Sequence, residues 1–310
     1  MYVRCVTLSI PVSRRSWIPL AVSISLDRNT AKKADLNRPP TMAAGSLKRV
    51  PDSGALFSLG ALLLFVSMVF SSISSAEECV AEGIDDYRKV KYVHDGDTVH
   101  LAGGQKVRLI GINTPELARD SAPAEPFGVA ARDALRQLLK GQRRIAIQYG
   151  REREDRHGRT LAHLYLEDGR NIQQWLLEKG YAVAIAIPPN LYHADCYQRF
   201  ERLARTKRVG LWRQGGAETV DATALRGGDQ GFRMIKGEVS GVKRTRRWVW
   251  LTLAENVSLR ISRDDERYFD AGLLGSLRQK TVVARGWLTQ RKGRWSMRIR
   301  HPNSLEVEAD

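Results

Sequence analysis

"HDGDTVHLAGGQKVRLIGINTPE", residues 94–116, completes one β-like run, "YRKVKYVHDGDTVHL" (87–101), and holds a second, "QKVRLIGIN" (105–113). Asp-Gly and Gly-Gly turns punctuate the two runs. Polar residues gather at the ends of the stretch. Asp95 and Asp97 flank Gly96, Arg108 lies on the second strand, and Asn113-Thr114-Pro115-Glu116 follows it, with Pro115 stiffening the chain ahead of a carboxylate.

Further strand candidates, "RRIAIQYG" (143–150) and "TLAHLYLEDGR" (160–170), surround the charged turn "DRHGR" (155–159). Helical spacing marks "FGVAARDALRQLLKG" (127–141), "NIQQWLLEKGYA" (171–182) and "DCYQRFERLARTKRVG" (195–210), each meeting a Gly near its C-terminus. Strands flanked by a few helices predict an α+β domain around a small antiparallel barrel. "RQGGAETVDATALRGGDQG" (213–231) lacks either period and reads as a flexible linker. The chain after it is nearly all β, as in "RWVWLTLAE" (247–255) and "RWSMRIR" (294–300). In the latter Trp295, Met297 and Ile299 share one face while Arg294, Arg298 and Arg300 share the other.

The whole chain has a formal charge of +16, which points to anionic partners. The excess is local. Residues 233–301 hold 17 Lys and Arg against 6 Asp and Glu, whereas residues 77–232 hold 24 against 22. A basic β-module with Trp248, Trp250, Trp287 and Trp295 suits tracking of a phosphate backbone with base stacking, but core positions are the favoured reading for the Trp side chains. A flexible linker further implies that the module can be removed without touching the chemistry of the first domain.

Cleaving a phosphodiester requires charge stabilisation on the phosphoryl oxygens and an activated water. Arginine supplies planar bidentate phosphate contacts, and a hard cation held by oxygen ligands supplies charge. Taken singly, the candidates carry little: Asp-Gly-Asp is usually only a turn, and a strand Arg is usually only solvated. Their ordered set is specific. "DGDT", "VRLIGINTPE", "DRHGR", "NIQQWLLEKGYA" and "GLW" in that sequence resemble the staphylococcal nuclease family across residues 86–212.

That resemblance implies a five-stranded OB barrel with three helices, cleaving DNA and RNA with Ca²⁺. It implies that Asp97 is a metal carboxylate, Asp95 its supporting acid, and Thr114 a ligand through its carbonyl. Arg108 and Arg159 correspond to phosphate-binding arginines, and Glu116 to the proposed general base. Three departures stand out: Asn113 replaces a second metal carboxylate, His157 replaces a phosphate-contacting Tyr, and Ile185 and Ile187 replace nucleotide-stacking tyrosines. An Asn oxygen still coordinates a hard cation, with one charge fewer. Arg156 and His157 are further candidates for phosphate contacts. The C-terminal module falls outside the resemblance; it is expected to be mostly β, with an OB-like barrel as one candidate. The rival to a nuclease using Ca²⁺ or another divalent ion is a non-catalytic protein that binds nucleic acid or another polyanion.

Upstream, "ALFSLGALLLFVSMVFSSISSAEE" (55–78) follows Lys48-Arg49 and ends in small residues, the pattern of a signal peptide cleaved after Ala76. An uncleaved anchor in a membrane is the alternative. Residues 1–41 fit neither, which makes Met42 the favoured start. Export to a periplasmic or extracellular compartment leaves Cys79 and Cys196 in the mature chain, where an oxidising environment predicts a disulfide. The expected organisation is thus extension and signal peptide (1–76), nuclease-like domain (77–212), linker (213–231) and basic module (232–310). A monomer acting on DNA and/or RNA, with no protein partner, is the expectation.

Overall fold

The run Asp86–Val93 determines how the first sheet closes. In a computed structural model describing residues 78–118, 123–213 and 217–308, it forms β1 (Asp86–Arg88) and β2 (Val90–Val93), separated only by Lys89. Next come β3 (Thr98–Leu101), β4 (Lys106–Leu109), β5 (Ile112–Asn113), α1 (Gly128–Leu139), β6 (Ile145–Glu154), β7 (Thr160–Tyr165), α2 (Ile172–Glu178), β8 (Val183–Ala184) and α3 (Ala194–Thr206). The sheet order is β1-β6-β7-β4-β3-β2. Its two ends are consecutive in the chain, so the run pairs with β6 at one end and β3 at the other and draws the sheet round into a barrel. Counted as one strand, it gives the five-stranded OB arrangement, with a single parallel pair, β4 beside β7.

Alternation fills this barrel. Val99 and Leu101, Val107 and Leu109, Ile145 and Ile147, and Ala162 and Leu164 all point into one core. Helix α1 buries Ala131, Leu135 and Leu139, four residues apart, and trimming the fully buried Leu135 to Ala should cost about 2–5 kcal/mol. Helix α3 buries Tyr197, Phe200, Glu201 and Ala204, a helical stripe with a carboxylate in its middle. Cys79 and Cys196 form the expected disulfide, with Cα atoms 5.9 Å apart, tying the start of the described chain to α3.

The segment read as a linker is not a free tether. Residues 219–221 form β9 (Thr219–Asp221), which pairs in parallel with β10 (Gly231–Glu238), and Ala222 is buried in the second core. Three residues of strand are too short to show a period, which is why the sequence pattern concealed them. The second sheet adds β11 (Gly241–Arg244), β12 (Trp248–Ala254), β13 (Val257–Ser262), β14 (Thr281–Arg291), β15 (Arg294–Arg298) and β16 (Leu305–Val307), with helix α4 (Leu273–Ser276). Its order is β11-β12-β13-β15-β14-β10-β9, and β16 joins β14. Trp295, Met297 and Ile299 point inward as expected. The core reading of the other tryptophans is corrected: Trp248 and Trp250 are half-buried on the outer face, and Trp287 is 45% exposed.

The two sheets are joined by buried charge. Arg285, on β14, donates through Nη1 to Glu201 Oε1 (2.6 Å) and Oε2 (2.8 Å) and through Nη2 to Glu306. Glu201 Oε2 also accepts from the Ala184 amide of β8 at 2.6 Å. Arg205 bonds both oxygens of Glu306, and Arg300 donates to the Pro188 carbonyl. The basic module is therefore docked on the first domain, not hung from it. The extension, Met42 and the signal segment (1–76) lie outside the described residues. Among the described residues no helix is long and apolar enough to cross a membrane.

Candidate active site

The turn Asp95-Gly96-Asp97 is buried, unlike an ordinary solvent turn. A Cβ on Gly96 would lie 2.8 Å from both Ala131 Cβ and Thr114 Cβ, so only glycine lets the turn pack between α1 and the Thr114 loop. Asp95 Oδ1 accepts from the Asp97 amide at 3.0 Å and shapes the turn. Asp97 Oδ1 accepts from Thr98 Oγ1, while Oδ2 accepts from the Thr114 amide (2.9 Å) and hydroxyl (3.1 Å).

Arg108 reaches the same carboxylate from β4, with Nη2 3.1 Å from Asp97 Oδ2. The same nitrogen donates to Asn113 Oδ1 at 3.1 Å, and Nη1 is held by the carbonyls of Leu109 and Ile112. Asn113 is placed by pairing of β5 with β8, opposite Val183, and its amide nitrogen lies 3.4 Å from the Thr114 carbonyl. Burial pushes the Asp97 carboxyl above its ordinary value, and neighbouring Asp95 adds to this; Arg108 and the Thr114 donors oppose it. Positive charge at this cluster thus stabilises a carboxylate that its surroundings disfavour.

Glu116 lies exposed two residues beyond Thr114, on backbone fixed from two directions. Its amide donates to Glu125 Oε2 (3.0 Å), and its carbonyl accepts from the Glu125 amide (2.9 Å). Glu125 Oε1 in turn accepts from Arg233 of β10 at 3.0 Å, so the C-terminal sheet supports the Glu116 loop. Gly128 closes the same corner, since a Cβ there would meet the Glu116 carbonyl at 2.7 Å. The sequence reading missed Thr98 and Glu125. Thr98 was visible in "DGDT"; Glu125, in a Pro- and Ala-rich loop, carried no signal.

Arg159 belongs to a second cluster, at the β6–β7 turn. Its Nε and Nη2 both lie 2.7 Å from Asp155 Oδ2, and it remains half-exposed. Although partial burial opposes it, hydrogen bonds from Arg159 and His157 hold the Asp155 carboxyl below its ordinary value. Arg156 and His157 face solvent, with Arg156 Nε 3.0 Å from His157 Nε2. Leu161 is the register partner of Arg108, and Arg159 immediately precedes β7, two residues before Leu161. Ile185 and Ile187 are half-buried beyond β8.

Residues 106–214 match the family model described as staphylococcal nuclease homologue. The chain is 35% identical over 127 residues to the thermonuclease of Staphylococcus intermedius, covering 40% of this chain and 74% of that protein. The chain belongs to the staphylococcal nuclease family. The thermonuclease of Staphylococcus hyicus is 30% identical over 128 residues, covering 40% of this chain and 74% of its own. The endonuclease YncB of Bacillus subtilis (strain 168) is 32% identical over 130 residues, covering 40% and 61%. The family model ends at residue 214, ahead of the C-terminal sheet.

Proposed function

We propose that this protein is an exported, metal-dependent nuclease hydrolysing phosphodiester bonds of DNA and/or RNA. The observation that carries the reading is the convergence of Arg108 on the buried oxygens of Asp97 and Asn113, beside the Thr114 carbonyl and ahead of Glu116. A family whose named relatives are thermonucleases and endonucleases supports it.

The donor set fits a hard divalent cation. Asp97, Asn113 and the Thr114 carbonyl offer one charged and two neutral oxygens, the ligand types that Ca²⁺ accepts. When bound there, Ca²⁺ would supply positive charge to the phosphoryl oxygens. Arg108 and Arg159 hold the phosphate and stabilise its growing negative charge. Glu116 accepts a proton from the attacking water, its loop held in place by Glu125. Arg156 and His157 contact neighbouring phosphates. Asn113 lowers the charge of the ligand set, so the enzyme works but requires more cation than a two-carboxylate site.

Export rests on the apolar segment before Ala76 and on the Cys79–Cys196 bridge, which persists in an oxidising compartment. The mature protein is then periplasmic or secreted, and acts as a monomer; retention of the segment would leave it membrane-anchored with the same domain outside. The test is digestion of single- and double-stranded DNA and RNA across a Ca²⁺ titration, with EDTA as control. Cleavage that rises with Ca²⁺ and stops in EDTA is expected. Tight binding without cleavage at any Ca²⁺ level would replace this reading with the non-catalytic one.

A further inference from the structure

The outer face of the C-terminal sheet carries a row of side chains that no core requires. Lys243 on β11 is the register partner of Trp250 on β12, Trp250 of Arg260 on β13, and Arg260 of Arg298 on β15. Four adjacent strands thus present cation, indole, cation, cation in one line, while Val249, Leu251, Leu259, Ile261 and Met297 fill the opposite, inner face. The next row, Gly241, Thr252, Ser258, Ser296 and Thr289, is hydroxyl on every strand but the edge strand β11.

Like charges directly opposite on neighbouring strands repel, and Arg260 beside Arg298 is such a pair. Partial burial, and then the charge of Arg298, lower the Arg260 pKa from its ordinary value. Asp265 compensates Arg298 at 2.7 Å, but among the described residues neither Lys243 nor Arg260 has an acidic partner. Arg260 Nε is buried and lacks a hydrogen-bond partner. Trp248 holds the arrangement in place, with the guanidiniums of Arg260 and Arg298 at 5.0 and 5.6 Å from its ring centre. Its neighbour Trp250, 6.4 Å away, stands in the row itself.

We propose that the row Lys243, Trp250, Arg260 and Arg298 binds single-stranded nucleic acid, with the cations on successive phosphates and Trp250 against a base. Three strand spacings make the row about 14 Å long, which matches roughly four nucleotides at stacked spacing. Charge complementarity selects a polyanion. The hydroxyl row beside it suits phosphate oxygens and offers nothing to insert into a bilayer.

The experiment uses the full chain in EDTA, with binding of a labelled single-stranded oligonucleotide measured by anisotropy at several salt concentrations. Replacing Lys243→Ser and Arg260→Ser together should flatten the slope of log affinity against log salt by about 1.4, two phosphate contacts' worth. Trp250→Ala should weaken binding about tenfold at every salt concentration and leave the slope alone. Melting temperatures establish that each variant is folded; Lys243, exposed on the edge strand, serves alone if Arg260→Ser unfolds. Folded variants with unaltered affinity and slope would overturn the proposal. So would equal competition by duplex of the same sequence, or binding to phosphatidylglycerol vesicles without binding to the oligonucleotide.

Discussion

The nuclease barrel buries Asp95, Asp97, Asn113, Thr114, His163 and His193 among its aliphatic residues, whereas the C-terminal sheet keeps nearly every charge outside an apolar interior. Buried polar groups cost free energy unless hydrogen-bonded. The barrel bears that cost where Arg108 and the Thr114 loop satisfy the Asp97 carboxylate. The basic module spends its polarity on the surface, in a cationic row. One fully buried cation, Arg285, breaks its pattern, and its partner Glu201 belongs to the other region. Polar burial is thus shared by the candidate active site, the junction and the His163–His193 cluster.

Breaking the junction should have the largest effect. Arg285→Met removes the nearer of the two cations on buried Glu201, leaving only Arg205 at 3.7 Å, and should cost about 3–5 kcal/mol, read by urea unfolding. Adding Glu201→Leu should recover most of that loss. Deleting the chain from Gly231 exposes the same carboxylate and strips β9 of its neighbour, so the nuclease domain should be destabilised rather than set free. A truncated domain melting at the full-length temperature would restore the separable module that the linker reading implied.

The second contrast lies within the site. Arg159→Ala and Glu116→Ala should lower cleavage by roughly 10²- to 10³-fold with little change in melting, because Arg159 is half-exposed and Glu116 exposed. Arg108→Ala should lose as much activity and stability as well, since it strands Asp97 and frees two carbonyls. Undiminished cleavage in all three would sink the assignment.

A smaller effect is expected at Asn113. Asn113→Asp supplies a charged ligand and removes the amide donor facing the Thr114 carbonyl, so half-maximal Ca²⁺ for cleavage should fall several-fold. A constant or higher value would mean that position 113 does not face the ion.

The smallest concerns pH. Burial pushes His163 down to about 3 and His193 down to about 4, in a cluster where they contact Tyr197 and Tyr165. Unfolded chains take up these protons near pH 6.5, while the folded protein refuses them until about pH 4. Stability should therefore be flat above pH 6.5 and decline below it, and His193→Gln should shallow the decline. Melting temperatures between pH 8 and pH 5 that do not differ would exclude this cluster as the acid-sensitive element.

Much of the barrel was legible because its elements are regular. Val99 and Leu101, Val107 and Leu109 alternate, and Leu135 and Leu139 keep helical spacing, so each element declares its buried face alone. The polar cluster was legible because Asp97, Arg108, Asn113 and Thr114 fall within one local hairpin and loop. Glu125, Glu201 and Arg285 were not. Glu201 resembles any surface acid of a helix, and Arg285 any solvated strand cation, until elements 84 positions apart meet. Trp248 and Trp250 misled for a different reason: large aromatic residues favour cores, yet both alternate with Val249, Leu251 and Leu253, which take the inner face.

By itself, then, the sequence determined the strands and helices of the barrel, the local cluster around Asp97, and a pair of cysteines with one partner each. Tertiary structure alone decided that the basic module docks, that Arg285 neutralises Glu201 beneath β8, that Arg233 steadies the Glu116 loop through Glu125, and that Lys243, Trp250, Arg260 and Arg298 align. Periodicity reports how a residue lies relative to its own element. Pairing across a sheet or a junction depends on which elements meet and in what register, and no local pattern carries that information.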